Sequence, residues 1–529
     1  MDQSDLRERG WLCPTGREMG RVDAYAIERA GIPACVLMEA AGRAVAEVVR
    51  EQFAQVRRPL VACGGGNNGG DGFVVARLLR EWESECRPVV ISFASPDRQS
   101  AEARDNLELL LNSGVEVTVK PGSEEISRLA EGCDLLIDAV FGVGLSRPVE
   151  GALGECLRAL AETGLPCVAI DLPSGISSDT GRPLGTELPA DVIVTLGLPK
   201  LGLVLQPRAG QIWVADIGLP ELAVEHAAIR QFALTARAAA RLLPARPLDG
   251  HKGTFGHVLV VGGSEGKTGA AVLAAEGALR AGAGLVTVGV PQSLNRIFEI
   301  KLTEAMSLPF AGASPYLTEA ALATLVEAAR SRDALVFGPG IGLDPRTVSA
   351  ARAFLAEVDA PAVVDADGLN AFEPDPSALG AAGPRVLTPH PGEAARLLGR
   401  SSREVQVDRA AAARELAGRT GAVVLLKGAR SITASPDGEI WINPTGGPGL
   451  ASGGTGDVLA GVIGALLAQG LSPLDATRLG AYLHGLAGDL GPAVGGLAGE
   501  VAARIPAAWL RLQKAEVEDR EPGSLTRFP

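Results

Sequence analysis

Short apolar runs alternate with stretches of helical periodicity along most of the chain, and this alternation constrains the fold more than any other feature. Strand–helix–strand alternation is typical of a parallel sheet with helices on both faces. A first series of candidate strands covers residues 60–63, 88–93, 115–119, 135–139, 167–171 and 191–196. A second series covers residues 257–261, 285–290, 334–337, 362–365, 386–388 and 422–426. We therefore predict an α/β protein with two parallel sheets.

The alternation is interrupted between about residues 216 and 247, where a mixed stretch ends in several prolines. A length of 529 residues is compatible with two large domains or three smaller ones. We place one boundary near residue 235, which gives domains 1–235 and 236–529. The polar residues from about 514 onward include two prolines, and we interpret them as a tail.

Charge and cysteine content exclude several classes of protein. The formal net charge of −13 argues against a nucleic-acid surface, although a local basic patch could exist within it. The longest apolar run, residues 458–468, is too short to span a bilayer, and the charged N-terminus lacks the apolar core of a signal peptide. Seven cysteines without a CxxC pair indicate reduced thiols. We expect a cytoplasmic protein without membrane or nucleic-acid partners.

Three loops of the first domain follow predicted strands, at residues 64–72, 138–147 and 171–175. The first is rich in glycine and opens a helix, so its backbone N–H groups could bind an anion or simply make a tight turn. It also satisfies GxGxxG, but among so many glycines that match is weak evidence. Ligand sites of open parallel sheets form at the carboxyl ends of strands, so we expect the loops to converge.

Oxygen-bearing side chains occur in each of these loops. Asn68, Asp138 and Ser174 are hard ligands suited to an alkali or alkaline-earth cation. Asp171 could serve as an acid or base, and any one of these aspartates could instead cap a turn.

The second domain contains a motif suited to phosphoryl transfer. Residues 453–457, GGTGD, precede an apolar stretch of helical length, so their N–H groups could stabilise a transferring phosphoryl group. Asp457 is placed to deprotonate an attacking hydroxyl, or merely to cap the helix. The GSEGKT segment at 263–268 is not a Walker A loop, because the position that requires glycine is Val261.

Further candidates of the second domain follow its strands. Lys427 could bind a phosphate or be a solvated lysine, and His390, held between two prolines, favours a ligand contact. Asp365 and Asp367 could approach Mg²⁺ or cap a helix, whereas His484 fits a packed helix.

The first domain resembles the N-terminal domain of the bacterial NAD(P)H-hydrate repair enzymes in NNGGDG (67–72), DAVFGVGLSR (138–147), DLPSG (171–175) and an early GIP…LMEAAG (31–42). The resemblance implies a Rossmann-like three-layer fold and epimerisation of R and S hydrates at carbon six of the nicotinamide ring, with Asp171 as catalytic residue. It also implies a potassium ion held by Asn68, Asp138 and Ser174. Val143 departs from the family, which commonly has Thr there. The residues implied to bind the hydrate are Asn67, Asn68, Gly69, Gly70, Asp71, Gly142, Val143, Gly144, Leu145, Ser146, Arg147, Pro148 and Asp171.

The second domain resembles the ribokinase-like dehydratase of the same family in HKGTFG (251–256), VVGGSEGKTGAA (260–271), FGPGIG (337–342), DADGLN, TPHPGE, LKG and GGTGDVLAG. The resemblance implies phosphorylation of the S hydrate by ADP and loss of phosphate to restore NAD(P)H, with Mg²⁺ at the site and AMP released. Asp457 would be the catalytic base. The residues implied to meet the hydrate are Ala271, Gly342, His390 and Asp457. The residues implied to bind the nucleotide are Lys427, Gly428, Ala429, Arg430, Ser431 and Gly456.

The sequence thus predicts a bifunctional enzyme acting on NADHX and NADPHX, with ADP as co-substrate. We expect a homo-oligomer, in which helices near the N-terminus could form the interface or pack on their own sheet. Two rivals remain open at this point. The second domain could be an ordinary ATP-dependent small-molecule kinase, or the first domain could be a binding module without catalysis.

Overall fold

Two units make up the part of the chain that the structure, a computed structural model, describes. The described residues are 9–82, 85–206, 210–312, 314–380, 382–518 and 525–528. Residues 11–231 and 525–528 form the first unit, and residues 9–10 and 232–518 form the second.

The first unit is built around a parallel sheet. The two-residue strand β1 (Trp11–Leu12) does not belong to this sheet. The sheet contains β2 (Pro59–Cys63), β3 (Val89–Ser92), β4 (Val117–Val119), β5 (Leu135–Ala139), β6 (Cys167–Ile170), β7 (Val192–Leu196) and β8 (Gln211–Ala215). Its helices are α1 (Gly16–Glu28), α2 (Ala34–Gln52), α3 (Asn67–Trp82), α4 (Ala101–Asn112), α5 (Ser123–Ala130), α6 (Gly151–Glu162), α7 (Leu201–Leu205) and α8 (Glu221–Ala227). The sheet order from β8 is β8-β7-β6-β5-β2-β3-β4, so the order reverses between β5 and β2. Such a reversal marks the ligand crevice of doubly wound sheets.

Alternate residues of the central strands enter two separate cores. Val61 and Cys63 of β2 belong to one core, together with residues of α2 and α3. Leu60 and Ala62 belong to the other, which includes Leu157 of α6. Because successive strand residues point to opposite faces, helices cover both faces of the sheet. This arrangement confirms the predicted Rossmann-like, three-layer α/β fold.

The second unit also has a mainly parallel sheet. Its strands are β9 (Gln231–Ala233), β10 (His257–Val261), β11 (Leu285–Pro291), β12 (Met306–Phe310), β13 (Ala334–Phe337), β14 (Ala362–Val364), β15 (Arg385–Leu387), β16 (Val423–Leu426), β17 (Ile432–Ala434) and β18 (Ile440–Ile442). Its helices are α9 (Ala236–Ala240), α10 (Thr268–Arg280), α11 (Asn295–Lys301), α12 (Leu322–Arg330), α13 (Pro345–Glu357), α14 (Asp367–Asn370), α15 (Pro391–Leu398), α16 (Ser402–Val407), α17 (Arg409–Thr420), α18 (Thr455–Ala468), α19 (Pro473–Asp489) and α20 (Ala498–Glu518). From β18 the order is β18-β17-β16-β15-β14-β13-β10-β11-β12, which reverses between β13 and β10. The pairs β16–β17 and β17–β18 are antiparallel and the others are parallel.

The C-terminal segment differs from the expected tail. The helix α20 continues to Glu518, and a strand β19 (Leu525–Arg527) pairs antiparallel with β8 at the edge of the first sheet. Two of its three residues, Thr526 and Arg527, are polar, so composition gives little sign of this strand at the sheet edge. Residues 519–524 and 529 of the predicted tail lie outside the described residues.

Two further predictions concern the cysteines and membrane-spanning helices. All seven cysteines are free and five of them are buried, as predicted. No helix within the described ranges is long and apolar enough to cross a membrane.

Candidate active sites

The first site lies where the strand order of the first unit reverses, at the carboxyl ends of β2 and β5. The helix α3 begins at Asn67, so NNGGDG forms its first turns. A side chain at Gly69 would lie 2.1 Å from the Gly64 carbonyl oxygen, and one at Gly72 would lie 2.6 Å from Cβ of Ala139. These glycines therefore bring the helix N-terminus close to the strands, which a larger residue would prevent.

Asp138, at the end of β5, and Ser174 are joined by hydrogen bonds in the protein interior. Ser174 donates to Asp138 through its hydroxyl at 2.6 Å and its backbone N–H at 2.7 Å. Both residues are fully buried, and burial raises the pKa of Asp138 to about 6. Asn68, the third residue predicted to bind potassium, has a buried side-chain amide. Neither the oxygen nor the nitrogen of this amide has a hydrogen-bond partner.

Asp171 follows β6 and adopts a left-handed backbone, with a φ of 69°. Its Oδ1 accepts hydrogen bonds from the Leu196 N–H at 3.2 Å and the Thr195 hydroxyl at 3.3 Å. The ammonium of Lys200, a side chain only 1% exposed, also contacts Oδ1. Its Oδ2 points toward Gly142, 3.1 Å from where a side chain would begin.

Gly142 lies close to two other residues of the first site. A Cβ built on this glycine would lie 3.4 Å from Cγ of Asn68 as well as next to Asp171. The remaining residues of the predicted 142–148 loop are half-buried or exposed, as a loop facing a crevice would be. Asn68, Asp171 and Gly142 are thus close together, as the three converging loops predict.

Two other carboxyl groups lie near this site. Burial raises the pKa of Asp23, in α1, to about 6, and the Asp171 charge adds to that effect while Lys200 opposes it. Burial, followed by the charges of Asp171 and Asp23, raises the pKa of Asp71 well above its usual value. The site therefore contains more carboxyl groups than it can keep ionised.

The second site lies at the N-terminus of α18. Gly454 precedes the helix with a φ of 93°, a conformation that favours glycine, and Asp457 lies in the first turn. Burial, together with the charge of Asp365, raises the pKa of Asp457 to about 7. A carboxyl group that changes charge near neutral pH is well suited to accept a proton.

Lys427, which follows β16, lies among acidic groups. Its ammonium is 2.7 Å from Asp365 Oδ1 and 3.9 Å from Glu393 Oε2. Burial alone would lower the pKa of Lys427, but the charges of Asp365 and Glu393 raise it above its usual value. A side chain at Gly456 would begin 3.4 Å from this ammonium, so the lysine also borders the GGTGD segment.

The loop after Lys427 has two unusual backbone positions. Gly428 has a φ of 149° and Arg430 a φ of 55°. The Ser431 hydroxyl donates to the Gly428 carbonyl, and Arg430 donates to the carbonyl of Pro444. The carbonyl of Ala429 accepts from Arg409, so internal hydrogen bonds hold the predicted nucleotide loop in one shape.

The four residues predicted to meet the hydrate in the second unit lie in different surroundings. His390 is the N-cap of α15, in a capping box with Glu393, and its side chain is half exposed. Gly342, with a φ of 87°, donates its N–H to Asp367. Ala271 is fully buried against Gly262, whereas its neighbour Ala270 is half-buried and reaches toward Gly340.

His484 lies in the interior of α19. Burial lowers its pKa to about 4, so the ring is neutral, and its Nε2 lacks a hydrogen-bond partner. Within the described ranges, no group of three or more His, Cys, Asp or Glu side chains is arranged to hold a metal ion.

Several side chains of the first site are absent from the sequence-based predictions. Lys200, Thr195 and Asp23 surround Asp171 without belonging to a recognisable motif. One signal is visible in retrospect: Lys200 is the single charged residue between Val192 and Leu205. An isolated charge in an apolar stretch is buried only when it is paired.

Comparison with known proteins decides the family. Residues 258–505 match the family model described as NAD(P)H-hydrate dehydratase, and residues 34–202 match that of the YjeF-related protein N-terminus. The bifunctional NAD(P)H-hydrate repair enzyme Nnr of Moorella thermoacetica is 46% identical over 90% of this chain and 91% of its own length. The chain belongs to the family of bifunctional NAD(P)H-hydrate repair enzymes. This membership confirms the predicted enzyme class, an epimerase joined to a nucleotide-dependent dehydratase.

Other members of the repair-enzyme family are similar along the same length. The Nnr proteins of Thermofilum pendens and Escherichia coli are 37% and 36% identical, over 89% and 95% of this chain and 90% and 94% of their own. A solved structure, the ADP/ATP-dependent NAD(P)H-hydrate dehydratase of Bacillus subtilis co-crystallised with ATP and Mg²⁺, is 33% identical. It covers 53% of this chain and 97% of its own, with a TM-score of 0.46. The mainly parallel sheet of the second unit agrees with the predicted α/β class, and this unit contains the residues 258–505 that match the dehydratase model.

Proposed function

We propose that the first unit interconverts the R and S forms of NADHX and NADPHX, and that the second unit dehydrates the S form with ADP. In the second reaction the 6-hydroxyl takes the terminal phosphoryl group of ADP, which releases AMP. Loss of phosphate from carbon six and of a proton from the neighbouring carbon five then restores the ring double bond of NAD(P)H. The observation that carries the proposal is Asp457, a carboxyl group of raised pKa in the first turn of a glycine-led helix.

In the dehydratase, Asp457 accepts the proton of the 6-hydroxyl as that oxygen attacks the phosphoryl group. Its raised pKa supports this role, because a base whose pKa lies near neutral pH accepts a proton readily and is ionised at physiological pH. The backbone N–H groups at the start of α18 stabilise the charge of the transferring phosphoryl group. His390, Gly342 and Ala271 complete the hydrate site.

The nucleotide is bound by Lys427 and the loop that follows it. Lys427 borders Gly456, so one ammonium can contact a phosphate beside the helix N-terminus. Gly428, Ala429, Arg430 and Ser431 form the rest of the nucleotide site.

In the epimerase, Asp171 moves a proton at the reacting end of the hydrate. Its Oδ1 is fully engaged by protein donors, whereas Oδ2 points toward Gly142. The hydrate would then lie between two segments at the switch point of the sheet. These segments are Asn67, Asn68, Gly69, Gly70 and Asp71 on one side, and Gly142, Val143, Gly144, Leu145, Ser146, Arg147 and Pro148 on the other.

A potassium ion fits the first site. The amide of Asn68 is buried without a hydrogen-bond partner, and the side chains of Asp138 and Ser174 are buried as well. All three carry the oxygen donors that such a cation prefers. When bound, the ion supplies a fixed positive charge beside the substrate.

Magnesium would enter the second site chiefly with the nucleotide. Asp365 and Asp367 each already contact a lysine, Lys427 and Lys267 respectively. A Mg²⁺ ion commonly uses one or two carboxylates together with substrate phosphates, so these aspartates would complete its coordination. The ion would neutralise phosphate charge.

A cytoplasmic location is part of the proposal, supported by seven free thiols. The homo-oligomer and the lack of a nucleic-acid partner stay predictions.

The test is incubation of purified S-NADHX with the enzyme and either ADP or ATP. The near-ultraviolet absorbance of the reduced nicotinamide should return with a nucleotide and stay absent without one. Lack of recovery with both nucleotides would refute the dehydratase. Accumulation of a stable phosphorylated product with ATP would instead favour an ordinary kinase.

A further inference from the structure

Lys200 is a buried cation that the proposed function does not use. Its ammonium contacts three oxygens: Asp171 Oδ1, the Thr195 hydroxyl at 3.3 Å and the Leu196 carbonyl at 2.7 Å. An ammonium group has three hydrogens to donate, so these acceptors account for all of them. Lys200 therefore has no donor left for a substrate, and any effect on the reaction must pass through the groups that it touches.

Within the described ranges, the hydrogen bonds of the Asp171 carboxylate all involve one of its two oxygens, Oδ1. Lys200, Thr195 and the Leu196 backbone all donate to Oδ1, and among the described residues no protein donor reaches Oδ2. The two oxygens of one carboxylate are thus distinguished, one as an anchor and the other as the atom that faces Gly142. This asymmetry orients the carboxylate in the site.

The surrounding carboxyl groups show which partner Lys200 holds. Asp23 from α1, Asp71 from α3 and Asp171 itself are the carboxyl groups that interact with it. Of these three groups, Asp171 is the one in contact with the ammonium. The geometry therefore pairs Lys200 with Asp171.

We propose that Lys200 is a positioning residue of the epimerase: it anchors Oδ1 of Asp171, so that Oδ2 is the oxygen offered to the hydrate. The proposal rests on the proposed function of the first unit. It assigns a role to a residue that lies 29 positions from Asp171 in the sequence.

The experiment compares wild-type enzyme with Lys200→Met, which keeps most of the side-chain volume and removes the charge. The rate of R-to-S conversion is measured as kcat and KM. We expect kcat to fall at least about tenfold with little change in KM, because general-base catalysis is impaired while substrate contacts remain.

Two controls accompany the variant. Lys120→Met removes an exposed lysine of the same unit and should leave both quantities unchanged. The dehydratase rate of each variant is measured on the same chain, and an unchanged rate shows that the variant protein is intact. A further variant, Lys200→Arg, keeps a charged donor at this position and should retain more of the wild-type kcat than Lys200→Met does.

Thr195→Val provides an independent measurement should Lys200→Met fail to fold. It removes a hydroxyl that contacts both Asp171 and Lys200, so we expect a smaller loss of kcat with little change in KM. Folded variants with unchanged kcat would overturn the proposal. Wild-type enzyme without R-to-S conversion would instead refute the proposed epimerase, so the two failures are distinguishable.

Discussion

Replacing Asp457 with Asn separates the chemistry of the second site from its stability. In the folded protein burial raises the pKa of Asp457 from 3.8 to about 7, with Asp365 adding to the shift and Lys427 opposing it. The folded state therefore binds a proton more tightly than the unfolded state does. The stability that this proton provides is present below about pH 4 and is lost as the pH rises through about 7.

The magnitude follows from these two pKa values. Each pKa unit corresponds to about 1.4 kcal/mol, so the ionised carboxylate destabilises the folded state at about pH 8 by at most about 4 kcal/mol. The Asp457 side chain is only partly buried, so water screens the charge and about 2 kcal/mol is the more realistic figure. Asparagine has nearly the same shape and no charge at either pH.

Asp457→Asn should therefore be more stable than wild type by about 2 kcal/mol at about pH 8 and equally stable at about pH 4. In calorimetry the difference corresponds to about 4–8 °C in the melting temperature of the second unit. The same variant should lose at least about a hundredfold in dehydratase turnover, because it lacks the base. Equal or lower stability at the higher pH, or preserved turnover, would refute the reasoning.

Two further predictions concern the first site. Gly142→Ala places a methyl group 3.1 Å from Asp171 Oδ2. Displacement of the groups at the site should reduce the rate of epimerisation about tenfold or more. The control Gly20→Ala has open space around the added methyl group and should leave that rate unchanged. An unaffected rate in Gly142→Ala would contradict the placement of the site. Asn68→Ala should raise the potassium concentration needed for half-maximal epimerisation about tenfold, because a buried ligand is lost. Full activity of wild type with tetramethylammonium chloride in place of potassium chloride would argue against the cation.

Much of the fold was predictable because buried parallel strands are continuous apolar runs. The strands β5, β10 and β13 have the predicted bounds. The strands β8, β12, β17 and β18 were missed. Of these, β12 and β8 contain half-exposed or exposed positions, and the hairpin strands β17 and β18 have three residues each. Short strands and edge strands carry little periodic signal, since most of their pairing is decided by tertiary contacts.

Some residues of the candidate sites could likewise be predicted from the sequence, and others could not. Glycine-rich segments at strand ends pointed to Asn68, Asp171, Lys427 and Asp457, because backbone close to a helix N-terminus leaves a clear compositional pattern. Lys200 reaches its site through tertiary packing, and its one local signal is a lone charge in an apolar stretch. Glu393 belongs to the TPHPGE segment, but only the folded structure shows its carboxylate 3.9 Å from the Lys427 ammonium. The overall negative charge also says little about anionic substrates, because N–H groups and single buried lysines provide positive potential locally.

The central claim is that one chain repairs both hydrates, and it is tested most directly with a mixture of R- and S-NADHX, ADP and catalytic amounts of enzyme. Wild type should restore the absorbance of the whole mixture. Asp171→Ala should restore the S fraction and then stop at the slow rate of spontaneous epimerisation. Recovery that stops at the S fraction with wild type, or complete rapid recovery with Asp171→Ala, would contradict the account.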